Sequence, residues 1–187
     1  MDNLLGVALW RQYSSAIEML DNALADCPDE LWTRRVWPLD PQPNFTQQFA
    51  EFWHVGYHTL VWLDLYLAGV PEEEFSSPAP FVSGEIDAVE STPDLSYSKE
   101  MLRAYLALLH DRCRATLLEL TLEEASRPVE YPWTGGQPIS YLELLLYNLR
   151  HVQEHAAQLS LFLGQHSIPD EAVQWSGSVG SPPRVEE

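Results

Sequence analysis

Four of the six histidines stand in two pairs of identical spacing, His54 with His58 and His151 with His155. Residues four apart on a helix point the same way, with Cβ atoms ~5–6 Å apart. Two such imidazoles can therefore converge on one ion through metal–nitrogen bonds of ~2.0–2.1 Å. A lone pair of this kind is weak evidence in a chain with this many histidines, but two pairs inside long apolar segments form a pattern that chelation explains. The sequence offers no glycine-rich phosphate loop, nucleophile elbow or paired-carboxylate motif as a rival chemistry. One competing motif exists: His151-Val-Gln-Glu154-His155 fits the inverted zinc-peptidase pattern, in which the glutamate is the general base. Only 32 residues follow His155, and they offer no long helix to supply a distant carboxylate ligand.

The elements that carry these pairs are marked out by 14 prolines, since proline removes a backbone donor and clashes with the preceding helical turn. Residues 1–27, 44–70, 94–127 and 139–168 are free of proline, and each holds apolar residues at the three-and-four spacing of an amphipathic helix. The pattern predicts four long helices. The first runs from Asp2 to Ala25 and ends before Pro28. The second starts at Asn44, with Gln47 completing a capping box, and stops at Gly69, a length of ~37 Å. The third spans Ser98 to Leu120, with Thr121-Leu-Glu-Glu124 capping a short extra turn. The fourth opens on the Ser140/Glu143 capping box and closes at Gly164.

The connection from Val70 to Tyr97 is rich in Pro, Ser and acidic residues and long enough to run the height of a bundle. The expected fold is therefore an all-α four-helix bundle, up-down-down-up, with its long connection between helices two and three. Pro128 to Pro138 reads as a loop or small hairpin over one end. Residues 1–168 are expected to form the bundle and 169–187 an irregular tail.

His58, His151 and His155 fall near mid-height of helices two and four, whereas His54 lies a turn nearer one end. The face beyond His58 carries Val61, Trp62 and Leu65, and the face towards the helix start carries Glu51 and Gln47, so His58 is expected to be the more enclosed of its pair. The favoured metal set is His58, His151 and His155, which leaves a coordination position for water, as in catalytic rather than closed zinc sites. Chelation by all four histidines, His54 joining or replacing His58, and a set of satisfied core histidines with no metal stay open as alternatives. Asn148, Glu154 and Gln158 are candidates to orient the ligands through their second ring nitrogens. Glu154 equally reads as a solvated surface residue. His110 and His166 are not favoured as ligands, and Trp53, Trp62, Tyr66 and Tyr147 read as core or pocket wall.

The segment Arg150-His-Val-Gln-Glu-His-Ala-Ala-Gln158-Leu resembles the H-x-x-x-H-x-x-Q signature on the last helix of the DinB/YfiT-like superfamily, and His58-Thr-Leu-Val-Trp-Leu-Asp64 is similar to that family's first-ligand segment. With the order of motifs and the long second connection, the resemblance covers residues 5 to 165. It implies an up-down-down-up bundle, often a homodimer, binding a divalent metal through one histidine of helix two and two of helix four. It also implies the activities of some members: thiol-dependent S-transfer, isomerisation or amide hydrolysis. Carried over residue by residue, the ligands are His58, His151 and His155, the ion zinc or nickel, and a low-molecular-weight thiol a further cofactor. Ala156-Ala157 departs from the Arg-Gly that many members carry there. The function expected is thiol transfer or hydrolysis on a small molecule, with a non-catalytic metal- or ligand-binding stress-response protein as the alternative.

Composition narrows the partners. Ten Lys+Arg against 28 Asp+Glu give a formal charge of −18, the wrong sign for a protein that coats phosphate backbones or anionic lipid, so neither nucleic acid nor membrane is an expected partner. Seven Trp, eight Tyr and six Phe set the chain apart from acidic disordered segments. The apolar run Phe52 to Leu63 ends at Asp64, well short of the ~20 residues a membrane helix needs. The first residues lack a positive secretory leader, which predicts a cytoplasmic protein. Cys27 and Cys113 form no CxxC unit and read as small buried hydrophobes.

Overall fold

The computed structural model describes residues 4–38, 47–81 and 96–166. The described residues are mostly helical. Four long helices, α1 (Leu4–Asp26), α3 (Phe52–Ala68), α4 (Lys99–Glu119) and α6 (Tyr141–Gln165), are joined by the short helices α2 (Asp29–Trp32) and α5 (Leu122–Ser126). α1 packs on α4 and α6, and α3 packs on the same two helices. Tyr13 and Met19 of α1 meet Leu145 and Gln153 of α6, so these contacts advance together along the two helices. Asp21 of α1 pairs with Arg103 of α4 and Trp10 with His110, so here they advance in opposite directions. Among the described residues no helix is long and apolar enough to cross a membrane.

The helix ends follow the capping chemistry in the sequence. Ser140 accepts from the Glu143 amide while the Glu143 carboxylate accepts from the Ser140 amide, and Thr121 and Glu124 form the same reciprocal pair. Ser98 accepts from the Met101 amide to open α4. Gly69 closes α3 in the left-handed conformation at φ 60°, where a Cβ would sit 2.6 Å from an Arg127 Nη and 2.7 Å from the Tyr141 ring. Gly164 does not end the last helix, which continues to Gln165.

Helix two differs at its start. Gln47–Ala50 form a 3₁₀ turn and Glu51 is extended, at φ −71° and ψ 146°, so α3 begins at Phe52 and is ~26 Å long. The reason is tertiary. The Val36 amide donates to the Ala50 carbonyl at 2.7 Å and the Phe52 amide to the Arg34 carbonyl at 2.9 Å, so backbone groups that would have propagated a helix pair sideways with the strip after α2. The expected cap at Asn44 and the expected tail 169–187 lie outside the described residues, as do 82–95 of the long connection. Pro128 to Pro138 is the small hairpin expected: β1 (Pro128–Val129) pairs antiparallel with β2 (Ile139–Ser140), and Gly135 and Gly136 turn the chain at positive φ.

The core is aromatic as well as aliphatic. Tyr13, Trp53, Tyr57 and Tyr105 are all within 1% of complete burial, and each such ring removes ~150–250 Å² from water, a gross gain on the order of 4–6 kcal/mol. Gly56 lets α3 lie close to α1, since a Cβ there would be 2.9 Å from Leu24 Cδ2. Among the described residues one carboxylate enters this core. Asp64, 2% exposed, accepts from Tyr105 Oη at 2.7 Å and pairs with Arg112, tying α3 to α4. Both cysteines are buried thiols.

Candidate metal centre

Three histidines meet between α3 and α6. His58 points from the first half of α3, and His151 and His155, one turn apart, point from the middle of α6. The Nε2 atoms of His58 and His151 are 3.1 Å apart, and so are those of His151 and His155. One ring nitrogen from each of the three lies within 4.8 Å of the others, and all three side chains keep partial exposure. Among the described residues these are the histidines that gather into a group able to hold an ion.

The hydrogen bonding around the group sets its proton inventory. His155 Nδ1 lies 2.8 Å from Gln158 Oε1, one turn on along α6. An amide oxygen accepts, so Nδ1 carries the hydrogen and Nε2 is the atom turned towards His151. At 3.1 Å the His151 and His155 Nε2 atoms are close enough to share a proton or a cation between them. Nitrogens held at ~2.1 Å from one ion and separated by 3.1 Å subtend about 95° at it, between the octahedral and tetrahedral angles, so the His58–His151 and His151–His155 pairs each suit a shared divalent ion.

The surrounding residues hold the two helices in register. Asn148, fully buried, donates from Nδ2 to the Leu63 carbonyl at 3.3 Å and so fastens α6 to α3. Glu154 lies exposed on the outer face of α6, away from the base position that the zinc-peptidase motif requires. Gln158 reaches a ligand ring, that of His155.

His54 takes a different place from the one its neighbours in sequence suggest. It is 1% exposed and more enclosed than His58, because Phe49, folded back by the 3₁₀ turn, and Trp53 lie edge-on to its ring at 4.7 and 5.1 Å. It does not join the histidine group. His110 sits edge-on to Trp10 beside Asp111, and His166 lies against Phe162, donating from Nδ1 to that residue's carbonyl at 2.8 Å within its own helix end.

Aromatic rings continue from the histidines along both helices. Trp62 and Tyr66 follow His58 at four-residue steps on α3, and Tyr147 precedes His151 by four on α6. Tyr66 and Tyr147 meet edge to face at 5.6 Å, and Trp133 from the hairpin stacks on Tyr147 at 4.4 Å while its indole N–H donates to Tyr66 Oη at 3.1 Å. Burial, and next the neighbouring Tyr147, push the Tyr66 phenol well above its ordinary range, so it stays a neutral acceptor for Trp133.

Residues 12–159 match the family model described as the DinB superfamily. The crystal structure of a DinB-like protein from Bacillus subtilis superposes with a TM-score of 0.53 over 91% of this chain and 99% of that one, at 10% sequence identity. A likeness at that identity is one of fold. No curated protein matches the chain.

Proposed function

The chain belongs to the DinB superfamily, and on that premise we propose that it is a metal-dependent thiol transferase or hydrolase acting on a small molecule, with His58, His151 and His155 as the ligands. The helices form an up-down-down-up bundle in this reading, supported by the sense in which α1 meets α6 and α4. The observation that carries the function is the convergence of three Nε2 atoms from two helices, with Gln158 Oε1 placed 2.8 Å from His155 Nδ1, where it favours the tautomer a metal needs.

Each residue has a definite task. His58 brings its nitrogen from α3 and the α6 pair brings two more, so the site exists only while α3 and α6 are docked. Asn148 maintains that docking, and Gln158 keeps the His155 lone pair aimed inward. The partial exposure of all three imidazoles lets a small molecule reach them. A divalent ion such as zinc or nickel, when bound by three neutral imidazoles, keeps a position for water or a thiol and lowers its pKa towards ~7, which supplies a nucleophile at neutral pH.

Elemental analysis of purified protein tests this. Close to one equivalent of zinc or nickel per chain is expected, with loss of that metal in His151→Ala and His155→Ala chains that retain their helical circular dichroism. Wild-type protein that takes up no divalent metal refutes the proposal. The homodimer is part of the same reading, and light scattering at micromolar concentration checks it.

A further inference from the structure

We propose that the substrate of this centre carries a flat, uncharged ring, and that Trp62, Tyr147 and Trp133 form the shelf on which that ring lies. The inference rests on the metal-centre reading above and adds the chemical class of what enters it.

The core rings of this protein leave almost nothing to solvent, as Tyr13, Trp53, Tyr57 and Tyr105 show. The rings beside the histidines do not follow that rule. Trp62 and Tyr147 are half-buried and Trp133 is 43% exposed. Exposing three large aromatic side chains together sacrifices burial that the core obtains everywhere else, and such a patch beside a reactive group is the usual mark of a binding surface.

The shelf is continuous with the site and rigid. Trp62 lies 6.1 Å from the His58 ring, and Tyr147 lies nearly parallel to the His151 ring, at 6.5 Å and 9°. A ring attached one or two bonds from a donor atom held at the histidines therefore reaches it. Trp133 is fixed by its bond to Tyr66, and the hairpin itself is anchored where Tyr131 Oη donates to the Val70 carbonyl at 2.9 Å. A shelf that is already ordered loses little entropy when it binds. The Arg150 guanidinium lies over Tyr147 at 5.4 Å, a cation on a ring face rather than an ion pair, so the shelf offers aromatic surface for stacking.

Hydroxamates, which chelate zinc and differ in what they append, test the shelf. Zinc-loaded full-length protein is titrated calorimetrically with acetohydroxamate, benzohydroxamate and cyclohexanecarbohydroxamate. A stacked ring is expected to make benzohydroxamate bind about tenfold more tightly than acetohydroxamate, and more tightly than the saturated ring. Trp62→Ala or Trp133→Ala should shrink that ratio severalfold while acetohydroxamate affinity holds, and Trp62→Phe should retain most of it. The second site guards against one variant failing to fold. A ratio near one in the wild type, equal preference for the saturated ring, or a ratio unchanged in both alanine variants overturns the shelf alone. Failure to load zinc or to bind acetohydroxamate overturns the metal centre, and the shelf with it.

Discussion

Replacing Gln158 by leucine removes the acceptor of the His155 Nδ1 hydrogen while keeping the side chain's volume. The bond lost is 2.8 Å long, and a neutral hydrogen bond contributes about 0.5–1.5 kcal/mol net. The released imidazole then divides between two tautomers, of which one presents the Nε2 lone pair inward, a further penalty of about 0.4 kcal/mol at equal population. Together these give about 1–2 kcal/mol, or roughly five- to thirtyfold weaker zinc binding, overlapping the range seen when such supporting groups are lost elsewhere. The assay is competition against a chromophoric chelator, using metal-free protein whose thermal melting has been compared with wild type. Gln158→Glu is the companion, since a carboxylate accepts the same hydrogen in a charge-assisted bond and should restore affinity or exceed it. A leucine variant within twofold of wild type would refute the orientation argument, and so would a glutamate variant as weak as leucine.

Three further outcomes follow from the packing. Gly69→Ala should cost about 1–2 kcal/mol from the left-handed backbone alone, lowering the melting temperature by roughly 2–8 °C, with displacement of Arg127 adding to this; an unchanged melt would show that the helix end relaxes freely. Burial pushes the Cys27 thiol up to about 12 and raises Cys113 as well, so native protein should resist Ellman's reagent at mildly alkaline pH and release both thiols in urea. A rapid reaction before unfolding contradicts that burial. The Asp64 carboxyl is raised from 3.8, burial outweighing the lowering by Tyr105 and Arg112. Its folded state holds the proton more tightly than the unfolded chain, so that contribution to stability is complete below 3.8 and lost as pH rises through the folded value. Asp64→Asn should therefore gain on wild type in urea denaturation as pH moves from acid to neutral, and a gap that narrows instead would reverse the sign.

Much of the frame is written locally. Proline-free windows mark the four long helices, and Ser140/Glu143, Thr121/Glu124 and Gly69 act within one turn of themselves, so their capping chemistry is readable without any tertiary knowledge. The meeting of His58 with His151 and His155 is legible for the same reason: spacing fixes the α6 pair on one face, and position along the helix brings His58 level with it. The start of α3 is not legible, because Arg34 and Val36 on a separate strip take the hydrogen bonds that local propensity assigns to a helix. His54 is misjudged for a related reason. Its cover comes from Phe49, which faces it only once the 3₁₀ turn replaces the expected helix. Gln158 and Asn148 stand at equal three-residue spacing from the pair, and the sequence does not separate them; the Leu63 carbonyl draws Asn148 away and leaves Gln158 at the ring. Trp133, in a hairpin remote in sequence, had no local signal tying it to Tyr147.

The first helix finds its hydrogen-bond acceptor in the last. Tyr13 Oη donates to a carbonyl 132 residues further on, and at ~5–20 residues per second a ribosome delivers that acceptor roughly 7–26 s after Tyr13 itself. Until then the apolar faces that α1 and α3 turn to α6 have nothing to pack against. A chain cut before α6 lacks the surface on which α1 and α3 both pack, and is expected to be digested faster than the full-length protein in limited proteolysis.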